Sequence, residues 1–249
     1  MTLKKKALEG VFWSALEKWG EKTANILVFL ILARLLEPQA FGLVALGTVF
    51  VALVRVIVDQ GFADALVQRE DLEEAHLDTT FWTNLILGLV MCGGTVLASG
   101  TIAGLFGEPD LEPVLEGLAL IIPLRGLSGV QEAQFRRNLD FQVLSVRSLV
   151  STTVGGLVGV GMAFEGYGVW SLVGQQVTRN AVETTVLWTA SGWLPRFKIS
   201  FSHFKDLFSF GVSILGTKML NFLNRLLDDL LIGAFLGSTA LGYYSVAYK

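Results

Sequence analysis

The chain has 249 residues, of which 52% are hydrophobic and only 16% charged, and its mean hydropathy is +0.58. A soluble domain carries roughly 25% charged residues, so composition excludes an ordinary soluble fold and points to a membrane protein. A net charge of -3 with a pI near 5.5 argues against a nucleic-acid binder, and the single Cys92 excludes an intrachain disulfide.

The start, Met1-Thr2-Leu3-Lys4-Lys5-Lys6, is basic, but no short apolar region with a small-residue cleavage site follows. It reads as a retained end and not as a signal peptide. Seven stretches then approach or exceed the roughly 20 residues a helix needs to cross about 30 Å of hydrocarbon. They are Val11–Ala33, Phe41–Phe62, Phe81–Leu105, Leu111–Val130, Val143–Phe164, Gly168–Trp188 and Leu207–Phe235, and an eighth begins near Leu241. Tight turns at Glu37-Pro38, Gly107-Glu108-Pro109-Asp110 and Glu165-Gly166-Tyr167-Gly168 alternate with longer loops around Gln68–Thr79, Gln131–Gln142 and Ser191–Asp206. The N-terminus and long loops carry Lys4, Lys5, Lys6, Arg69, Arg136, Arg137, Arg196, Lys198 and Lys205, whereas the short-loop side carries only Arg34. The positive-inside rule therefore places the N-terminus and long loops in the cytoplasm.

Several spans carry polar groups at helical spacing. Span 1 has Lys18, Glu21, Lys22 and Asn25 on one side. Span 2 has Arg55 and Asp59 at i,i+4, open to two readings: a structural ion pair, or part of a substrate or coupling-ion path. Span 7 repeats the pattern with Lys218, Asn221, Arg225 and Asp228. An ionised group at the bilayer centre costs about 2.5–3.5 kcal/mol on insertion scales, so such stripes must face protein or a wet cavity. Arg125 and Arg147, near span ends, are expected to snorkel to lipid headgroups. Most of the tryptophans, Trp188 and Trp193 among them, are expected in the aromatic belt. Gly155, Gly156, Gly159 and Gly161 suit close helix packing. Neither His76 nor His203 has Cys or His company at metal-ligand spacing, so no metal or other cofactor is expected. No nucleophile–base set is present.

The chain also echoes itself at an offset of 200. Leu36 matches Leu236, Ala40 matches Ala240 and Gly42 matches Gly242, while further back Lys18 matches Lys218 and Leu27 matches Leu227. Spans 1 and 7 then start from the same side, as a parallel duplication requires.

Five motifs follow in order: Ile31-Leu32-Ala33-Arg34-Leu35-Leu36-Glu37-Pro38 with Phe41-Gly42; Asp59-Gln60-Gly61 leading to Ala65-Leu66-Val67-Gln68; Arg137-Asn138-Leu139-Asp140-Phe141; Gly166-Tyr167-Gly168-Val169-Trp170-Ser171-Leu172-Val173; and Asp228-Asp229-Leu230-Leu231-Ile232-Gly233 with Leu241-Gly242-Tyr243. Together they resemble the N-terminal half of bacterial polysaccharide or O-antigen flippases, the lipopolysaccharide biosynthesis proteins of the multidrug/oligosaccharidyl-lipid/polysaccharide exporter superfamily. Asp64 departs from the small or apolar residue common before the Ala-Leu-Val-Gln run.

The resemblance implies an all-α, polytopic integral membrane helical bundle, with a first six-helix lobe and the start of a second. Residues 1–190 are expected to form that bundle and 191–206 a cytoplasmic connecting loop. Residues 207–249 would be the first helix and start of the second helix of a truncated C-terminal bundle, and a fragment missing that lobe is expected to be inactive alone. It further implies transfer of an undecaprenyl-diphosphate-linked oligosaccharide between leaflets of the bacterial inner membrane, with membrane lipids around it. A polysaccharide polymerase and glycosyltransferases are the expected partners. Lys18, Lys218, Asn221 and Arg225 are the substrate-binding candidates, because a diphosphate needs paired cations in a partly wet site. Glu21, Arg55, Asp59 and Asp228 are coupling-ion or ion-pair candidates. A multidrug or small-molecule exporter of the same superfamily and a membrane-embedded glycosyltransferase are the competing readings, the latter weakened by short loops that carry no catalytic cluster.

Overall fold

The computed structural model describes residues 3–59, 61–69 and 71–248, with side chains for 13–59, 61–69, 71–205, 208, 216, 219–220 and 227–247. Among the described residues there are nine helices and no strand: α1 (Leu3–Leu35), α2 (Pro38–Asp59), α3 (Phe62–Gln68), α4 (Glu74–Phe106), α5 (Leu111–Ala119), α6 (Ile121–Arg137), α7 (Phe141–Phe164), α8 (Val169–Ala190) and α9 (Phe201–Tyr248). Among the described residues, five segments are long and apolar enough to cross a membrane: Pro38–Asp59, Glu74–Phe106, Leu111–Arg137, Phe141–Phe164 and Leu227–Ala247. The chain is an all-α, multi-pass membrane protein. Large side chains such as Leu97, Leu105 and Leu157 are exposed on it, a surface that lipid covers without cost.

The helices α1 and α8, spans 1 and 6 of the sequence reading, are not among the five. They are helices of 33 and 22 residues, but each bears a polar stripe: Lys18, Glu21, Lys22 and Asn25 on α1, and Gln175, Arg179 and Glu183 on α8. Span 4 is broken at Leu120 into α5 and α6. Pro123 has no N–H to offer the Ala119 carbonyl four residues back, and its ring crowds that carbonyl. The α6 helix then continues to Arg137, through residues that the sequence suggested were loop. Similarly, α9 starts at Phe201 and not at Leu207.

Two helices come unusually close where the sequence repeats. Gly237, at φ 81° and ψ 174°, interrupts α9, a conformation open only to glycine. The chain folds back there, since Tyr244 Oη donates to Asp228 Oδ2 at 2.7 Å across 16 residues. On a straight helix those residues would be about 24 Å apart. The turn falls at the position equivalent to Glu37, between α1 and α2. Beyond it, the start of the returning segment crosses the start of α2. A Cβ on Gly42 would overlap the Ser238 carbonyl and stand 3.0 Å from the Gly242 nitrogen; one on Gly242 would overlap the Pro38 carbonyl and stand 3.3 Å from the Gly42 nitrogen. Residues 38 and 42 thus meet 238 and 242 reciprocally, a local two-fold between the two segments. Glu108, in the α4–α5 turn, accepts the Ser238 N–H at 2.8 Å and satisfies a donor that the new helix start leaves open.

Glycines also bring α7 onto its neighbours. A Cβ at Gly155 would meet the Gln175 carbonyl at 2.8 Å, at Gly159 the Gln175 Cβ at 2.8 Å, and at Gly156 a Val28 methyl at 2.5 Å. The packing role read from sequence holds for these three, whereas Gly161 faces open space.

Residues 191–200, between α8 and α9, lie against the start of α4. The Arg196 backbone N–H donates to Asp78 Oδ1 at 2.9 Å, its guanidinium pairs with Glu74, and Trp82 Nε1 donates to the Arg196 carbonyl at 2.8 Å. Phe197 stacks on Trp82 at 4.5 Å, and Trp188 and Trp193 pack edge-on to Phe81. Trp188 Nε1 also donates to the Leu127 carbonyl at 2.9 Å, so both tryptophans are tied to the bundle at this end. The two histidines, 127 residues apart (76 to 203), also meet here.

The crossing carries a direct test. Gly42→Ala and Gly242→Ala should each lower stability by about 1–3 kcal/mol through overpacking, read as thermal unfolding in detergent. Gly161→Ala, with open space around it, should leave the midpoint unchanged.

Candidate functional site: a cationic groove beside a buried ion-pair chain

The helical period puts Lys18, Glu21, Lys22 and Asn25 on one face of α1, as their spacing requires. Together with Phe41 of α2 and Gln175 of α8 they line an open groove of about 500 Å³. Phe29 meets Phe41 edge-on at 5.8 Å and forms part of its apolar wall. Within the groove, Glu21 is fully engaged: Ser148 Oγ donates to its Oε2 at 2.7 Å, and Arg179 pairs with its Oε1. Lys18 and Lys22 form no ion pair among the described residues and are exposed to the groove. With Glu21 neutralised by Arg179, the groove is left with two ammonium groups one helical turn apart, an arrangement that attracts an anion.

From Glu21 a chain of opposite charges runs into the bundle. Arg179 Nε lies 3.3 Å from Glu183, Glu183 lies 3.0 Å from Arg125, and Arg125 lies 3.6 Å from Glu132. Glu132 also pairs with Arg147 at 2.9 Å and with Arg136 at 2.6 Å. Asn180 Oδ1 accepts from Arg125 Nε at 3.0 Å. The chain ties α1, α6, α7 and α8 together. Its far end borders a second cavity of about 550 Å³, lined by Arg55, Asp59, Asp64, Arg125, Glu132 and Arg136 among others.

The expectation that Arg125 and Arg147 snorkel to headgroups is therefore corrected. Arg147 is buried and bound to Glu132, and Arg125 reaches inward to Glu183 and Asn180. The reason is that α6 extends seven residues beyond the span drawn from sequence, which carries Glu132 into the bundle as a shared partner. Sequence reasoning passed over Glu132 because it was assigned to a loop. The available signal was Arg125, Glu132 and Arg136 on one helical face, at steps of seven and four.

The remaining candidates separate. Arg55 and Asp59 line the second cavity with Asp64, the residue that departs from the family pattern. Asp228 accepts the Tyr244 hydroxyl on an exposed surface of α9, away from both cavities. The helix continues through Lys218, Asn221 and Arg225, but their side chains lie outside the described residues. Arg137, in the third motif, donates to the carbonyls of Leu66, Val67 and Arg69, thereby capping α3.

Fold and site together define a multi-pass helical membrane protein with a chain of paired internal charges beside a groove that carries Lys18 and Lys22. The chain belongs to the family described as polysaccharide biosynthesis protein, whose profile matches residues 31–249. It is 31% identical to the succinoglycan biosynthesis transport protein ExoT of Rhizobium meliloti over 98% of this chain and 50% of that protein. It is 27% identical to the teichuronic acid biosynthesis protein TuaB of Bacillus subtilis, over 100% of this chain and 52% of the relative. The lipopolysaccharide biosynthesis protein WzxC of Escherichia coli is 26% identical over 100% of this chain and 51% of its own length. The chain spans about half the length of the curated relatives it matches. No solved structure matches it significantly.

Removing one partner of a buried ion pair costs about 3–5 kcal/mol, because the other charge is stranded. Arg147→Met should therefore destabilise the bundle by about that amount in detergent unfolding. Arg147→Met combined with Glu132→Met should lose clearly less than the sum of the two single variants.

Proposed function

We propose that this protein moves an undecaprenyl-diphosphate-linked oligosaccharide from the cytoplasmic to the periplasmic leaflet of the bacterial inner membrane by alternating access. The step would serve lipopolysaccharide, capsule or exopolysaccharide assembly. The observation that carries this reading is the groove: two ammonium groups, Lys18 and Lys22, with no ion pair among the described residues, on a helix face whose one carboxylate, Glu21, is taken by Arg179 and whose other lining is apolar and amide. A diphosphate is the anion that such a pair suits, the amides of Asn25 and Gln175 suit sugar hydroxyls, and a polyprenyl tail suits the lipid alongside. Family membership and the names of the relatives, one of them a transport protein, support the same direction.

In this reading the N-terminus faces the cytoplasm. The Lys- and Arg-rich loops support that orientation, and contacts such as Arg196–Glu74 and Arg137 to the Arg69 carbonyl gather those loops at one end. Residues 1–190 act as one lobe, 191–200 as the connection, and 201–249 as the opening of the second. Lys218, Asn221 and Arg225, whose side chains lie outside the described residues, are the further candidates for holding the substrate. Flipping needs no covalent chemistry. Glycosyltransferases supply the substrate and a polymerase consumes it. The second cavity, with Asp59, Asp64 and Glu132, is the place for ion coupling.

The test is a lipid-linked oligosaccharide flipping assay with the protein expressed from its complete gene. Lys18→Ala with Lys22→Ala should reduce flipping at least about tenfold, the effect of losing charge-assisted hydrogen bonds of about 1.5–3 kcal/mol each. Lys18→Arg with Lys22→Arg should retain most of it. Undiminished flipping in the folded double Ala variant would sink the assignment, and preferential transport of small cations would favour the multidrug reading.

A further inference from the structure

From Glu73, His76 and His203 we infer a transition-metal site, of a kind suited to Zn²⁺, that joins the first turn of α4 to the first turn of α9. The sequence gives neither histidine a partner; the docked linker supplies one. One ligand atom from each of the three residues lies within 4.8 Å of the others. The imidazoles meet edge to face with centroids 4.4 Å apart at 86°. His203 Nε2 and Glu73 Oε2 are 3.4 Å apart. Two ligand atoms on a tetrahedral ion with bonds near 2.0 Å sit about 3.3 Å apart, so this pair already has the spacing that a zinc ion requires. Two imidazoles and a carboxylate, with a fourth position left for water, form an established donor set for zinc.

The surroundings hold the rings as an outer shell does. Ser200 Oγ lies 2.7 Å from His203 Nδ1 and turns Nε2 toward Glu73. His76 is buried, and its Nδ1 accepts the Glu73 backbone N–H at 3.2 Å. Ligation through Nδ1 would replace that long hydrogen bond. Access is from the side of Glu73, whose side chain is 70% exposed, and of His203, at 24%. Ser200 is itself anchored, its backbone N–H donating to Thr79 Oγ1 at 3.2 Å. An ion here would therefore fasten α9 to α4 at one end of the bundle, adding to the contact that His76 and His203 already make.

The experiment is a Zn²⁺ titration of the purified chain in detergent, without a polyhistidine tag, in competition with a chromophoric chelator. One zinc per chain is expected. Glu73→Gln and His203→Asn, both at accessible positions, should each weaken binding at least about tenfold. Zinc should raise the unfolding temperature of the parent chain and leave that of His203→Asn unchanged. X-ray absorption should show nitrogen and oxygen ligands near 2.0 Å. Size exclusion of each variant confirms that it is folded. Zinc binding equal in the parent and in folded His203→Asn, or absent from both, would overturn the site.

Discussion

The constraint on which this structure turns is that a charge taken into an apolar helix bundle must find its opposite. Glu132 and Glu183 are where that is resolved. Between them they engage Arg125, Arg136, Arg147 and Arg179, and Arg179 reaches on to Glu21. Stranding the buried members, Glu132, Glu183 and Arg147, is expensive in low dielectric, so the helices that carry them must hold their register. The chain positions α1, α6, α7 and α8 relative to one another. It also decides the electrostatics of the groove, because it removes Glu21 as a counter-charge and leaves Lys18 and Lys22 unmatched.

Close backbone approach makes that pairing possible. Arg179 can reach Glu21 because Gly155 and Gly159 let α8 lie on α7, and Gly156 lets α1 do the same from another side. Gly42 and Gly242 likewise allow the starts of α2 and of the returning segment of α9 to touch backbone to backbone. The contact is reciprocal, with residues 38 and 42 against 238 and 242.

The linker has a larger part than a connecting loop. Its backbone is bound by Asp78, Thr79 and Trp82 and its aromatic residues pack on Phe81 and Trp82. Movement of α9 relative to α4 would have to break or carry this contact. The same docking brings His203 to His76, a proximity created wholly by folding.

Much of the architecture was legible in the sequence, since long apolar runs and tight turns follow from local chemistry and the hydrocarbon thickness. The α1 stripe was legible too, because its spacing alone places Lys18, Glu21, Lys22 and Asn25 on one face. Helix ends were read less well: α6 passes through Glu132 to Arg137 because its polar residues are paired inside the bundle, which a hydropathy reading cannot register. Arg125 and Arg147 were misread for the same reason. The amino-acid sequence by itself determined the class and which groups lie on a common helix face, both consequences of helical period and water-to-lipid transfer. Only the tertiary structure decided which charges cancel, which stay open to a ligand, and that two distant histidines share one site, because these depend on distances between helices that are set by side-chain volume and glycine contacts.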